Sequence, residues 1–327
     1  MSGDGLGEAA RVLETVRAGG LLAQDRPVVA MLSGGRDSVC LLDVAVELRG
    51  PAQVGALHVN YGLREQSDAD ERHCVRLCEQ LGVELEVVRE GRASSAQRSR
   101  PGASTNLQAW AREVRYRAAA QMALQRDALI ASGHTASDQV ETILYRLAAS
   151  PGRRALLGMA ASDGRLARPL LELTREQTAA YCEARGLQWC EDESNESLAY
   201  ARARVRHGLL PALRAVHPAA EANVVRTAWL LREETELLDG LVAEQLAGAA
   251  SIAIARLGEL PAGLARLVVV RLAEDAAGTY VPQAGARVEE ILALGRRGGR
   301  AELHVGGHAG AVIEGGVLRM VKLPPRA

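Results

Sequence analysis

Apolar residues in the first half of the chain follow two alternating rhythms. Short runs at Val28–Leu32, Val54–Val59, Val83–Val88 and Ala128–Ala131 read as buried strands. Between them, apolar positions recur at helical spacing over Asp37–Leu48, Ser67–Leu81, Leu107–Leu124 and Asp138–Ala148. In the first of these helices the stripe is Leu41, Leu42, Ala45 and Leu48. Such alternation predicts an α/β fold with a doubly wound parallel sheet covered on both faces. Sheets of this kind bind ligands beyond the C-terminal ends of their strands.

The rhythm changes further on. Thr174 with Gln177 fits a capping box that opens a helix through Ala184. Arg202–His207 opens another, stopped near Pro211. After His217-Pro218 come long Ala/Leu/Glu/Arg helices through Leu246, from Pro261 to Ala276 and from Val288 to Leu294. The runs Ala301–Val305 and Ala311–Leu318, with Gly-rich turns, predict a small β meander. We therefore expect two domains. Residues 1–216 carry the sheet, and residues 217–327 form a smaller, mainly helical domain ending in the meander. The polar stretch Gly91–Ser104 reads as a loop, either a solvated connection or a lid.

Three motifs fall at strand C-termini. The first is Ser33-Gly34-Gly35-Arg36-Asp37-Ser38. Its glycines allow a sharp turn and close approach to backbone amides, and a following helix start attracts anions. It lacks the lysine of the GxxxxGK[ST] loop, since Lys322 is the only lysine in the chain. It lacks the first glycine of a nucleophile elbow, and no G-x-G-x-x-G opens a helix. Asp37 serves either as a partner of the helix dipole or as a Mg²⁺ ligand beside phosphate. The second motif is His58-Val59-Asn60. The third is Gly133-His134, followed by Asp138 and Glu141 on one helix face. That pair reads as an Asp N-cap with an acid three residues on, and equally as two carboxylates able to hold an ammonium group or a metal.

On the helix between these motifs, Glu113 and Arg117 form an expected i,i+4 pair. Arg112 has Gln108, not an acid, four residues earlier, so it is a freer cation for phosphate or carboxylate. Arg202 and Arg206 stand one turn apart while Arg204 points to the other side, so either the helix begins near Arg204 or one of the three arginines is structural and pairs with the acidic loop Glu191–Glu193.

Composition narrows the class. A chain of 327 residues with 48% hydrophobic content can bury two cores. A net charge of −1 gives no global attraction for nucleic acid, so such contacts must be local and made by arginine. Cys40, Cys74, Cys78, Cys182 and Cys190 contain no C-x-x-C, which argues against a disulfide scaffold, a zinc site or an iron–sulfur site. Cys74 and Cys78, four apart on a helix, read as core packing. No signal-like leader and no run of 18 apolar residues is present, so the expected place is the cytoplasm, away from membranes. The oligomeric state is open, a homodimer included.

The Ser33–Ser38 loop resembles the PP-loop of the ATP pyrophosphatase superfamily, whose members split ATP between the α and β phosphates. With His58–Arg64, Asn106–Tyr116, Gly133–Thr142, Arg168–Leu171, Glu191–Asn195 and Arg202–Pro211, the chain from about residue 27 to 214 resembles the bacterial tRNA(Ile)-lysidine synthetases. The resemblance implies ATP and Mg²⁺ as cofactors. It implies free L-lysine and tRNA(Ile) with a CAU anticodon as partners, and lysine ligation to C2 of cytidine 34. It also implies site residues. Ser33, Gly34, Gly35, Arg36, Asp37 and Ser38 would hold ATP phosphates, with Asp37 on Mg²⁺. His58, Asn60, Gly133 and His134 would lie near the rest of ATP. Arg112, Asp138 and Glu141 would bind lysine and, with Asp37, act in catalysis, while Arg202, Arg204 and Arg206 would bind tRNA. The chain departs from that family's pattern at Ser137, where an acid is frequent, at Tyr61, where His is frequent, and at Ala203, where Asn is usual.

Overall fold

The computed structural model describes residues 3–23, 25–63, 66–90, 103–149, 152–191 and 201–324. The expected lid at 91–104 and the acidic loop beyond Glu191 lie almost wholly outside these residues. In chain order the first elements are α1 (Gly3–Ala18), β1 (Val28–Met31), α2 (Arg36–Arg49), β2 (Val54–Asn60), α3 (Ser67–Leu81) and β3 (Glu84–Arg89). Next come α4 (Ala103–Gln125), β4 (Leu129–Ala131), α5 (Ala136–Ala149), β5 (Ser162–Asp163), β6 (Leu166–Ala167) and α6 (Arg175–Ala184). The helices α7 (Ala201–Arg204), α8 (Leu210–Val216) and α9 (Ala220–Leu246) follow. The last stretch holds β7 (Ser251–Ala253), α10 (Ile254–Glu259), α11 (Ala262–Ala277), α12 (Val288–Arg297), β8 (Ala301–Gly306), β9 (Ala309–Glu314) and β10 (Val317–Lys322).

The chain divides into two compact units. One is Met1–Tyr145 with Gly158–Val225, and the other is Arg146–Leu157 with Arg226–Ala327. The division falls inside α9, after Val225, where the sequence pattern suggested residue 216.

In the first unit the strand order is β3-β2-β1-β4-β6-β5, parallel except for the β5–β6 pair. The chain leaves β1 in one direction to β2 and β3, then returns to place β4 on the other side. The switch point therefore lies between β1 and β4, where such sheets open a ligand crevice. Alternation along β1 builds both cores. Val28, Ala30 and Leu32 pack with α1, α2, α3 and α6, whereas Val29 and Met31 pack with Met122 and Ala123 of α4. Both faces of β1 are thus buried, which explains its unbroken apolar sequence.

The second unit joins helices to an antiparallel sheet in the order β7-β10-β9-β8. Its core includes Leu257, Val268, Ile291, Ile313 and Leu318. The apolar run Ala311–Leu318 is broken by Gly315-Gly316, both at positive φ, and belongs to two strands. The helix expected to stop near Pro211 continues. A π-helical turn, Val205–Leu209, carries α7 into α8. Proline has no N–H to bond four residues back, and its place in the first turn of α8 leaves no donor missing. Among the described residues no helix is long and apolar enough to cross a membrane.

Candidate active site

The Ser33–Ser38 turn connects β1 to α2 and is held open by its own serines. Ser38 Oγ donates to the Gly35 carbonyl at 2.7 Å and accepts from the Ser33 amide at 3.1 Å. Gly34 adopts φ +86°, a conformation costly for other residues, and a Cβ there would lie 3.3 Å from Cys74 Sγ. Gly35 is the N-cap of α2 but supplies no side-chain cap. The first amides of α2 are left for an external acceptor, and an anion suits both them and the helix dipole.

The loop after β4 closes directly on this turn. A Cβ on Gly133 would stand 2.9 Å from the carbonyl oxygen of Asp37, so only glycine permits the contact. His134 Nδ1 lies 2.5 Å from Ser132 Oγ. Burial, together with the charges of Arg168, Arg115 and Arg112, pulls its pKa down to about 4 against the attraction of Asp138, so the ring is neutral at neutral pH.

Asp138 is not the N-cap. Thr135 precedes α5 and takes that place, and Asp138 Oδ2 accepts from the Thr135 amide at 2.9 Å and its hydroxyl at 3.0 Å. The reciprocal pair is a capping box one turn earlier than the sequence suggested. Its other oxygen is left to the site. Burial alone would raise the Asp138 carboxyl, but Arg175 and the Thr135 N–H hold it below the ordinary carboxylate range.

Asp37, Asp138 and Glu141 are brought together by one guanidinium, that of Arg175. Its Nη2 meets Asp138 Oδ1 at 2.5 Å, its Nη1 meets Glu141 Oε1 at 3.0 Å, and its Nε lies 3.7 Å from Asp37 Oδ2. Glu141 is buried and also accepts two bonds from Arg206, at 2.7 and 3.0 Å. Thr178 donates to Asp37 Oδ1 at 2.5 Å, and Arg36 Nε approaches the same oxygen at 3.3 Å. Neither Arg175 nor Thr178 stood out in the sequence. A signal for Arg175 existed: it is the first residue of α6, where the helix dipole disfavours a cation. A cation in that place needs acids from elsewhere.

The other expected residues have different partners. His58 is buried, with Nδ1 2.9 Å from the Leu32 carbonyl. A carbonyl only accepts, so Nδ1 carries a proton. Asn60 is consumed locally: Nδ2 donates to Asp68 and Glu71, and Oδ1 accepts from the Gly62 amide. It shapes the turn after β2 rather than reaching the carboxylates. Arg112 stacks on Tyr116, 4.5 Å from the ring centroid. Arg117 pairs with Glu90 at 3.0 Å, not with Glu113, because the end of β3 offers an acid that an i,i+4 pair worth a few tenths of a kcal/mol does not outweigh. Arg202 and Arg204 are exposed, whereas Arg206, expected on tRNA, lies on the carboxylates. Cys74 and Cys78 are buried on α3 as core residues, and burial pushes the Cys78 thiol up to about 12.

Chemically, the crevice combines an amide-lined anion turn with three carboxylates that favour a cation. Among the described residues no three His, Cys, Asp or Glu side chains are grouped to cage a metal.

Residues 8–213 match the PP-loop domain family. The tRNA(Ile)-lysidine synthase of Pseudomonas fluorescens (strain Pf0-1) is 39% identical over 216 residues, covering 64% of this chain and 47% of that protein. The tRNA(Ile)-lysidine synthase of Nostoc sp. (strain PCC 7120) is 34% identical over 239 residues, covering 70% of this chain and 67% of that protein. The chain spans about half the length of the first curated relatives it matches. Among solved structures, a U34-tRNA thiolase from Methanococcus maripaludis with its 4Fe–4S cluster superposes with a TM-score of 0.56 at 18% identity. That match covers 69% of this chain and 79% of the thiolase, and it speaks to fold alone.

Proposed function

This chain belongs to the PP-loop domain family, and on that premise we propose that it ligates free L-lysine to C2 of cytidine 34 in the CAU anticodon of tRNA(Ile). ATP first adenylates the cytosine C2 position and pyrophosphate leaves. The ε-amine of lysine then attacks C2 and AMP leaves. The modified base pairs with A instead of G, so the codon read changes from AUG to AUA.

One observation carries this reading. The loop leading to Asp138 and Glu141 packs through Gly133 onto the backbone of Asp37, so an anion turn and a cation-favouring pair share one crevice. The relatives' names support tRNA(Ile) as the RNA substrate, and lysine and cytidine 34 are part of the proposal. In this reading Ser33, Gly34, Gly35, Arg36 and Ser38 cradle the phosphates, and His58, Gly133 and His134 line the remainder of the nucleotide site, with Asn60 shaping the turn after β2. Asp138 and Glu141 hold the lysine ammonium, and a nearby carboxylate or water takes the proton that the amine sheds before attack. Arg112 stabilises charge developing on the phosphate. Arg202 and Arg204 serve the tRNA backbone, while Arg206 is held on Glu141. Residues 1–216 are the catalytic part and 217–327 assist tRNA binding, in the cytoplasm.

The residues present fit Mg²⁺ bound through phosphate. Mg²⁺ takes one or two carboxylates plus phosphate oxygens, and Asp37, in the first turn of α2 beside the anion-binding turn, is such a carboxylate. Asp37 would hold it, and the ion supplies charge neutralisation between the phosphates.

The test is incubation with ATP, Mg²⁺, labelled lysine and bulk tRNA. The expected result is lysine-dependent AMP formation with label in tRNA. ADP as the product, or AMP formed without label transfer, overturns the reading.

A further inference from the structure

We propose that Arg175 is a positioning residue that binds Asp37 on the phosphate side and the Asp138–Glu141 pair on the amine side into one pre-aimed cluster. The inference rests on the function proposed above for the identity of the amine, and not for the geometry.

The guanidinium reaches carboxylates on two helices. Asp37 belongs to α2, and Asp138 and Glu141 to α5. A planar fork with five donors can serve three acceptors at fixed angles, which a lysine ammonium on a flexible stem cannot. Arg206 also pairs with Glu141 and Arg36 with Asp37, but Arg175 reaches all three acids. Without its fork no described side chain ties Asp37 to the α5 pair, and the like charges on the two helices separate. Thr178, one turn along α6, fixes the other oxygen of Asp37.

The helix carrying Arg175 is itself anchored to α2. Tyr181 Oη donates to Asp43 Oδ2 at 2.6 Å, and Arg185 Nε donates to the same oxygen at 2.9 Å. Asp43 is only 1% exposed, so this clamp is shielded from water. A movement of α2 therefore carries Arg175 with it, and the spacing between the turn and the carboxylates of α5 is kept.

Arg175 contributes nothing to starting its own helix. Thr174 and Gln177 complete the capping box without it. A cation as the first helical residue opposes the dipole. Its removal therefore costs the helix cap little; the stability it does cost comes from the buried carboxylates left without it, so the positioning role is read below the unfolding transition.

The experiment compares the full-length chain with Arg175→Gln and Arg175→Lys, with Thr174→Ala as the control for helix start. Lysine transfer is read as kcat and KM separately, Mg²⁺-dependent ATP binding by calorimetry, and Tm by thermal unfolding. For Arg175→Gln, assayed well below its lowered Tm, misplacement of the cluster should lower kcat by about 100-fold and weaken Mg²⁺-dependent ATP binding by about tenfold. Arg175→Lys should recover a minor part of both. Thr174→Ala should lower Tm and leave kcat near the parent value. A kcat within about threefold of the parent for Arg175→Gln, or a loss that merely follows a drop in Tm, overturns the proposal. If the parent chain transfers no lysine, the proposed function fails on its own. ATP binding then decides: a selective loss in Arg175→Gln upholds the positioning role, and unchanged binding overturns it.

Discussion

The glycine turn after β1 and the carboxylate cluster on α5 meet in one crevice but are built by opposite means. The turn is made of backbone. Its shape comes from Gly34 at positive φ, from serines bonding within six residues, and from a glycine-only contact at Gly133. The cluster is made of side chains. Arg175 joins acids 34 to 138 positions away in sequence, and Arg206 adds a further arm. A backbone site is rigid because its chain cannot leave. A side-chain site is rigid only while every partner is present, so it is the more easily broken.

The largest effect should come from Asp138→Asn, which spares the turn. Lysine transfer should fall by about a thousandfold, as when one preorganised electrostatic group is lost. Unfolding should show little change, since an amide oxygen can still accept from Thr135. Near-normal incorporation would reduce Asp138 to a helix cap and end the comparison.

Gly133→Ala strikes the other side. Forcing a methyl against the Asp37 carbonyl should cost about 2–3 kcal/mol, or roughly 30- to 150-fold in nucleotide affinity. Calorimetry should find the loss in ATP binding and a much smaller change in the KM for lysine. Equal losses in both would mean that the two regions are one.

Acid should sharpen the contrast. Unfolded, His134 takes up a proton near its ordinary value of 6.5; folded, it refuses one until about 4. Below 6.5 the unfolded chain binds more protons, so this share of stability is complete above 6.5 and declines as the pH falls toward 4. The loss is on the order of 3 kcal/mol. Thermal unfolding between pH 7 and 4 should slope less steeply for His134→Gln.

The smallest effect belongs to the second unit. Arg154 donates to Glu274 at 2.6 Å, far along the chain from any of these acids. Glu274→Gln should cost about 1 kcal/mol of stability and leave kcat unchanged. A fall in kcat would show that this ion pair, too, serves the crevice.

The same contrast explains what could be read from the sequence. Buried strands and amphipathic helices declare themselves by local period, and β1, β2 and β4 with α2, α3 and α5 lie within a few residues of where the pattern set them. The turn was equally visible, because its meaning resides in six consecutive residues. Short elements were not: β5, β6 and β7 have two or three residues each, too few for a period to register. α1 was weighed as a possible leader and not as a helix. The partners of Asp138 and Glu141 were hidden for another reason. An arginine looks the same in sequence whether it faces water or three acids, and only its unfavourable place at the start of α6 set Arg175 apart. Arg206 reads in the sequence as part of a basic run for tRNA, since nothing local announces Glu141, 65 residues earlier.

One consequence reaches beyond chemistry. The second unit is not a contiguous stretch of gene, because the chain visits it twice, first as Arg146–Leu157 and again after Val225. The earlier visit is fastened by Arg153 to Asp239 and by Arg154 to Glu274. A single recombination joint near residue 225 would strand that twelve-residue piece without its acids, so exchanging this module between proteins requires two joints that match.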